Sequence, residues 1–176
     1  MKHLVEVGCS GKSSLHNLFD CASLVEIFEP LPHHLDRIHH LYGGNDRVKI
    51  HPYALWKDNC SVKMYDLGET SYIEGVVSPV VANYNYCPKQ ENELFVEART
   101  FDEFDDGTID ILDIDAEGSE WHVIEKMKSR PEMIIIEMSW LEYKNPYFDQ
   151  IQSWMLSNNY AEINRKKANV FYQKLT

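Results

Sequence analysis

The 176-residue sequence lacks features that mark several large classes of protein. No apolar run approaches the ~20 residues that a membrane-spanning helix needs. The four cysteines show no Cys-x-x-Cys spacing, so they indicate neither a zinc knuckle nor a disulfide framework. Positive charge is scarce: 17 Lys and Arg stand against 28 Asp and Glu, a net charge of −11. Because a nucleic-acid partner requires a basic face, the composition argues against one.

The beginning of the chain also lacks a targeting signal. Residues 1–8 enter a strand pattern directly, without the apolar region and cleavage site of a signal peptide. We therefore expect a cytoplasmic protein with reduced thiols that has no membrane partner. The length suits one domain with a single core, residues 1–176, and an irregular insert occupies about 68–93.

Strand and helix patterns alternate along the chain. This alternation predicts an α/β fold with a mostly parallel sheet, helices on both of its faces and a closing antiparallel hairpin. Helices are predicted after Ser13, over about 32–42, after Glu120 to Met127, and over about 148–157. Strands are predicted at residues 4–7, 24–28, 48–55, 60–67, 94–100, 109–115, 133–137, 160–163 and 169–174. The aromatic residues of the insert either line a pocket or pack against an additional strand.

Residues 109–120 carry the most informative pattern. An apolar run is interrupted by acids and then breaks at Glu117-Gly118, where a helical pattern opens. The pattern is typical of a buried strand that places acids at its carboxyl end, where open α/β sheets bind ligands. Asp115 and Glu117 are therefore candidate active-site residues.

A glycine turn follows the first strand. Gly8 and Gly11 allow backbone N–H groups to approach a ligand, although tight strand-to-helix turns also need glycine for structural reasons. Glu29 ends the second strand about twenty residues later, a spacing suited to binding ribose hydroxyls. Glu6, inside the first strand, either orients the glycine loop or contacts the ligand.

Two other sites are weaker candidates. Gly11-Lys12-Ser13 suggests a phosphate loop, but that motif requires glycine where this chain has Glu6. His33, Asp36 and His40 share one helix face and suggest a metal site. The simpler interpretation is a solvated surface helix.

Four segments together resemble the FkbM family of S-adenosylmethionine-dependent class I methyltransferases. The segments are 5–8, 27–30, 110–120 and 133–137, and the Asp-x-Glu-Gly-x-Glu core at Asp115–Glu120 is the most specific of them. The resemblance covers roughly residues 3–140. It implies a Rossmann-like, seven-stranded sheet with S-adenosylmethionine over the carboxyl ends of the first strands.

The resemblance also implies roles for individual residues. They are Gly8, Ser10 and Gly11 at the methionine part, Glu29 at the ribose, Ala54 near the adenine, and Asp115 and Glu117 at the transferring methyl. Family members typically methylate a hydroxyl on a sugar or natural product, so a small hydroxylated acceptor is expected. The alternative is a non-catalytic descendant of the fold that binds a nucleoside or a partner protein.

A neutral hydroxyl is a poor nucleophile, so its methylation requires a base or a metal. Our hypothesis is that Asp115 acts as the base, or binds Mg²⁺ or Ca²⁺ together with Glu117 and Glu137. Glu120 is interpreted only as favouring the positive end of the following helix. Since the chain begins at its first strand, without the family's N-terminal helices, we also expect a homodimer that buries the exposed face.

Overall fold

The computed structural model describes residues 1–175, which form two main sheets and four α-helices. The helices are α1 (Pro32–Tyr42), α2 (Pro79–Tyr84), α3 (Trp121–Ile124) and α4 (Phe148–Ser157). The strands are β1 (Lys2–Val7), β2 (Ala22–Phe28), β3 (Val48–His51), β4 (Ala54–Leu55), β5 (Cys60–Tyr65), β6 (Tyr72–Ile73), β7 (Glu93–Arg99), β8 (Ile111–Ile114), β9 (Met133–Glu137), β10 (Ser139–Trp140), β11 (Tyr143–Lys144), β12 (Tyr160–Lys166) and β13 (Asn169–Lys174).

The larger sheet has seven strands in the order β12-β13-β9-β8-β1-β2-β3. The five strands from β9 to β3 are parallel, and β13 and β12 complete the sheet as an antiparallel hairpin. The central strand β8 aligns Leu112 with Val5 on one side and with Ile134 on the other. The predicted fold class, including the C-terminal hairpin, is confirmed.

Both faces of this sheet are covered, because neighbouring residues of each buried strand point to opposite sides. Leu4 and Ile111 belong to a core cluster with residues of α1, while Val5 and Leu112 belong to a second cluster with residues of α3 and α4. The continuous apolar runs of β1, β8 and β9 supply both clusters. The parallel sheet is therefore supported by packing from both sides.

The strand predicted at 48–55 is broken. Proline has no backbone N–H to donate to a sheet, and Pro52 divides the segment into β3 and β4. The strand β3 pairs with β2, whereas β4 leaves the parallel sheet and pairs with β7.

The second sheet has the strand order β4-β7-β5-β6 and was not predicted as a separate layer. Its strands β5 and β7 correspond to the half-buried strands predicted at 60–67 and 94–100. The insert at 68–93 is partly ordered by β6 and α2, whose N-cap is Ser78. Val62, Val96 and Ala98 form a small core of their own within this layer.

Two predicted helices are shorter than expected. The segment after β1 forms only a 3-10 helix, His16–Cys21, because Ser13 contacts Glu6 and β2 already begins at Ala22. The helix expected to reach Met127 ends at Ile124, since Asp105 binds the N–H groups of the residues that follow. Its Oδ2 atom lies 2.6 Å from the nitrogen of Lys128 and 2.8 Å from that of Ser129.

None of the helices among residues 1–175 combines the length and the apolar content that crossing a bilayer requires.

Candidate active site

The turn after β1 brings Gly8 against the strand β8. Gly8 has φ +84°, a left-handed conformation that favours glycine, and a Cβ atom there would overlap the carbonyl oxygen of Asp115. Backbone bonds hold both sides: the N–H of Asp115 donates to Val7 at 2.9 Å, and that of Gly8 donates to Phe28 at 3.0 Å. Glycine is therefore required at position 8 for β1 and β8 to end this close together.

Glu6 and Asp113 bind the two serines, Ser13 and Ser14, in the connection that follows this turn. Glu6 accepts from the hydroxyl of Ser13 and, at 3.1 Å, from the backbone N–H of Ser14. The hydroxyl of Ser14 donates to Asp113. Burial raises the pKa of Glu6, and it raises that of Asp113 to about 7. Of the two roles considered for Glu6, the contacts favour orientation of the loop.

A cavity of about 330 Å³ lies at the carboxyl edge of the parallel sheet. This volume is within the ~300–1,000 Å³ range of small-molecule sites. Six of the residues singled out from the sequence line it: Gly8, Ser10, Glu29, Ala54, Asp115 and Glu117. Gly11 lies outside, on a neighbouring groove with Lys12 and Arg37.

Glu29 occupies one wall of this cavity and is buried. Its Oε1 atom accepts from the backbone N–H of Leu31 at 2.8 Å and lies 3.5 Å from Nδ1 of His34. Burial, with repulsion from Asp66, raises the pKa of Glu29 to about 8. A ligand that donates hydrogen bonds to this carboxyl group would stabilise its charged form.

The second sheet supplies the opposite, more apolar wall. Leu55, Met64, Tyr72 and Ile73 line the cavity from this layer. Tyr72 is one of the insert aromatics for which two roles remained open, and it fulfils both: it belongs to the extra strand β6 and lines the cavity.

Asp115, Glu117 and Glu137 form an acidic cluster at the ends of β8 and β9. One carboxylate oxygen from each residue lies within 4.8 Å of the others. The Oε2 atoms of Glu117 and Glu137 are buried and have no hydrogen-bond partner among the described residues. Three acids thus converge without a neutralising group from residues 1–175.

The protonation of this cluster reflects its crowding. Burial, followed by repulsion from Glu137, raises the pKa of Glu117 to about 9. Burial and then Asp115 also raise the pKa of Glu137. Asp115 is open to solvent in the cavity, yet protein encloses its other sides, and this burial raises its pKa with help from Glu6. The donor set fits a hard divalent cation, which prefers carboxylate oxygens and would supply the missing positive charge.

The loop that carries Glu117 is held by Glu120. Glu117 has φ +51° and Gly118 has φ +102°, so the loop makes an unusual left-handed turn. Glu120 is fully buried, and its Oε1 atom accepts from the N–H groups of Ala116 and Gly118, both at 3.0 Å. Its Oε2 atom accepts from Asn145 at 2.6 Å. Glu120 therefore does more than favour a helix terminus: it fixes the acid-bearing loop.

Sequence reasoning missed Tyr143, a fully buried residue of β11. Its hydroxyl has no hydrogen-bond partner within residues 1–175, and its pKa is raised by burial and by the acids Glu120 and Glu137. A tyrosine six positions after Glu137 carries no spacing signal. The hydroxyl is placed beside the cluster by the short β10-β11 hairpin.

The weaker metal candidate differs from this cluster. Among the described residues, the acids Asp115, Glu117 and Glu137 are grouped closely enough to hold an ion, whereas His33, Asp36 and His40 are not. His33 instead lies 3.4 Å from Asp66.

Comparisons with known proteins identify the family and the fold of this domain. Residues 9–161 match the methyltransferase FkbM domain. No curated protein sequence matches the chain significantly. Eleven chains of known structure match its fold, among them the following two.

The first is methyltransferase FkbM from Methylobacillus flagellatus KT, with a TM-score of 0.64 and 16% identity, covering 98% of this chain. This chain spans less than half of that protein, 43% of its length. The second is the ribosomal protein L11 methylase from Lactobacillus delbrueckii subsp. bulgaricus, with a TM-score of 0.52 and 10% identity, covering 98% of this chain and 70% of that one. At such identities the structures show the fold alone, whereas the domain match covers most of the sequence. This chain therefore belongs to the methyltransferase FkbM domain family.

Proposed function

We propose that this chain is an O-methyltransferase that transfers a methyl group from S-adenosylmethionine to a hydroxyl of a small, sugar-like or natural-product acceptor. Membership of a methyltransferase family implies use of S-adenosylmethionine. The observation that carries the finer proposal is the position of Asp115. It borders the cavity beside Gly8 and also belongs to the acidic cluster.

The cavity offers groups suited to each part of the cofactor. Glu29 would accept hydrogen bonds from the ribose hydroxyls, since it is buried and faces the cavity. Ala54 and Leu55 would pack against the adenine. Gly8 and Ser10 would face the methionine part, where the absence of a side chain at Gly8 permits close approach.

The bound cofactor supplies an electrophilic methyl group on a sulfonium, and the residues must supply alignment and a place for a proton. Asp115 would accept the proton of the acceptor hydroxyl. Burial and the nearby Glu6 raise its pKa, which makes it a stronger base than an ordinary carboxylate. Glu120 would keep the adjoining loop in place, because it binds two of that loop's N–H groups.

We also propose that Asp115, Glu117 and Glu137 bind Mg²⁺ or Ca²⁺. The unpartnered oxygens of Glu117 and Glu137 support this proposal. A bound cation would lower the pKa of a hydroxyl beside it. In that arrangement Asp115 would act as a ligand of the cation instead of as the base.

The test is isothermal titration with S-adenosylmethionine, with and without Mg²⁺ or Ca²⁺, followed by an acceptor screen. We expect micromolar binding and transfer to a hydroxyl. Asp115→Asn should lower methyl transfer by about 10²-fold or more, the usual contribution of a general base, and change cofactor affinity only a few fold. Asp149→Asn is the control, because its side chain is 83% exposed.

Different failures have different meanings. No binding of S-adenosylmethionine would overturn the enzyme proposal. Tight binding without transfer to any hydroxylated acceptor would support the alternative of a non-catalytic binding protein. Full activity of Asp115→Asn would remove Asp115 from the mechanism while leaving the cofactor site in place.

A further inference from the structure

A second cleft, of about 450 Å³, adjoins the cofactor cavity. Asp115 lines both spaces. Glu137 lines the cleft beside it, so the acidic cluster lies between the two. A molecule in this cleft would reach Asp115 from a different space than the one proposed for the cofactor. This placement suits an acceptor.

The outer end of the cleft is positively charged. Lys166, the last residue of β12, and Lys167, in the turn that follows, line it. Within residues 1–175 neither lysine forms an ion pair with a carboxylate, although the chain carries a net charge of −11. Two free cations close to an acidic site are suited to an anion that the acids alone would repel.

The turn that carries the lysines is fixed to the catalytic edge. The N–H of Met138 donates to the carbonyl of Ala168 at 2.9 Å, and Asn169 pairs with Glu137. The turn before β13 therefore lies next to the end of β9, where Glu137 is. Lys167 and Lys166 are two and three residues before Asn169 in the chain.

An aromatic side chain also lines the cleft. Trp140, in β10, lines the cleft and is 45% exposed. The amino group of Lys167 lies 5.9 Å from the centre of its ring. An exposed indole is suited to stacking against a sugar or another ring, and a nearby cation strengthens binding of a ring that carries negative charge.

We propose that this cleft is the acceptor site and that the acceptor is a hydroxylated ring compound with an anionic substituent, a carboxylate or a phosphate. The ring stacks on Trp140, and its anionic group binds Lys166 and Lys167. Its hydroxyl lies at Asp115. This inference rests on the proposed function and specifies its substrate class.

The test uses nitrogen-15-labelled protein saturated with S-adenosylhomocysteine and Mg²⁺. The indole N–H signal of Trp140, assigned with Trp140→Phe, is followed during titration with matched probes. The pairs are glucuronate against glucose and 4-hydroxybenzoate against phenol, and glucose 6-phosphate distinguishes a phosphate from a carboxylate. We expect an anionic probe to shift this signal at about tenfold lower concentration than its neutral partner, as one good charged contact allows.

Variants assign this preference to the lysines. Lys166→Gln combined with Lys167→Gln should abolish it, and arginine at both positions should restore it. The control combines Lys89→Gln with Lys144→Gln, which changes the net charge equally at side chains that are 72% and 58% exposed. Both double variants should bind S-adenosylhomocysteine like the unmodified protein.

Three results would overturn the inference: no shift of Trp140 with any probe, equal shifts within each pair, or a preference that survives loss of both lysines. The last result would assign the anion to the metal cluster instead. Each of these leaves cofactor binding intact, whereas failure to bind S-adenosylhomocysteine overturns the proposed function itself.

Discussion

Gly8 lies so close to Asp115 that a single methyl group at Gly8 would overlap the carbonyl oxygen of Asp115. The contact joins the turn after β1 to the end of β8, and both residues line the cavity proposed to bind the cofactor. The shape of that cavity and the position of the proposed base therefore depend on the same backbone contact.

Gly8→Ala should damage both folding and cofactor binding. The left-handed backbone at φ +84° and the overlap with Asp115 would together cost about 2–3 kcal/mol or more in free energy of unfolding. Urea unfolding and titration with S-adenosylhomocysteine measure the two effects. Gly44→Ala is the matched control, because no atom lies within 4 Å of a Cβ at that glycine. Equal losses in the two variants would contradict the role assigned to Gly8.

Glu120→Gln tests whether Glu120 positions the acid-bearing loop. Glutamine replaces one carboxylate oxygen of Glu120 with an NH2 group, which would face the Nδ2 group of Asn145, so that two donors meet. Asn145 cannot present its Oδ1 atom instead, because that atom already accepts from the backbone N–H of Tyr147 at 2.9 Å. One buried hydrogen bond is lost, which should cost about 1–3 kcal/mol of stability. Methyl transfer should fall more than affinity for S-adenosylhomocysteine.

The partner residue supplies a rescue of this variant. Asn145→Asp in the Glu120→Gln background gives the new amide an acceptor and retains the bond from Tyr147. Partial recovery of both stability and methyl transfer is expected, because aspartate cannot replace the bond that Asn145 donates to the carbonyl of Glu137 at 3.3 Å. Glu142→Gln, at an exposed position, should change neither. Lack of recovery in the double variant would mean that the pair does not act through this hydrogen bond.

Glu117→Gln should stabilise the protein when no divalent cation is present. The pKa of Glu117 is raised from 4.5 to about 9 in the folded state, mainly by burial. Folding therefore disfavours the charged form, and stability falls as the pH rises from about 4.5 towards 9. At pH 8 in a chelator, the variant should gain about 1–3 kcal/mol, because glutamine is neutral in both states and does not need to take up a proton on folding.

The gain should shrink as the pH is lowered towards 4.5, because Glu117 is then neutral in both states. Saturating Mg²⁺ should reverse the order, since only the unmodified protein retains all three carboxylates. Thermal unfolding across this pH range measures these differences. A variant that is stabilised by Mg²⁺ as much as the unmodified protein would contradict the metal proposal.

Glu26→Gln tests a buried network away from the active site. The Oε1 atom of Glu26 lies 3.0 Å from Nε2 of His3, and its Oε2 atom lies 2.6 Å from Nε2 of His51. Burial would raise the pKa of Glu26, but these two hydrogen bonds outweigh burial and lower it to about 2. Because the pKa of Glu26 is lower in the folded state, its charged form stabilises the fold above the unfolded pKa of about 4.5. This contribution is lost as the pH falls through 2.

The loss in this variant should be about 3 kcal/mol at pH 7, the product of the pKa shift and 1.36 kcal/mol per unit. It should stay constant down to about pH 5 and then vanish towards pH 2. Urea unfolding at several pH values provides the measurement, with Glu91→Gln as the control at a side chain that is 74% exposed. A difference that does not depend on pH would assign the loss to packing.

Sequence patterns predict the parallel sheet well, because buried parallel strands such as β8 and β9 are continuous apolar runs. The closeness of Asp115 and Glu137 follows directly, since neighbouring parallel strands end at the same edge. The second sheet was not predicted, because two-residue strands such as β4 and β6 carry no periodicity. The role of Glu120 was also missed: its bonds depend on the left-handed turn at Glu117 and Gly118, which no spacing rule predicts.

The break at Pro52 has a consequence for how this fold can change. The chain leaves the parallel sheet at β4 and returns along β7, and the two strands are hydrogen-bonded neighbours, with Ala54 opposite Ala98. The segment between β4 and β7 therefore begins and ends at neighbouring positions. The wall that this segment adds to the cavity could therefore differ in length or sequence without a change in the strands that lead to Asp115 and Glu137. A replacement would have to keep the contacts that tie the segment to the rest of the fold, such as the bond from the N–H of Tyr143 to Asn83 at 2.9 Å.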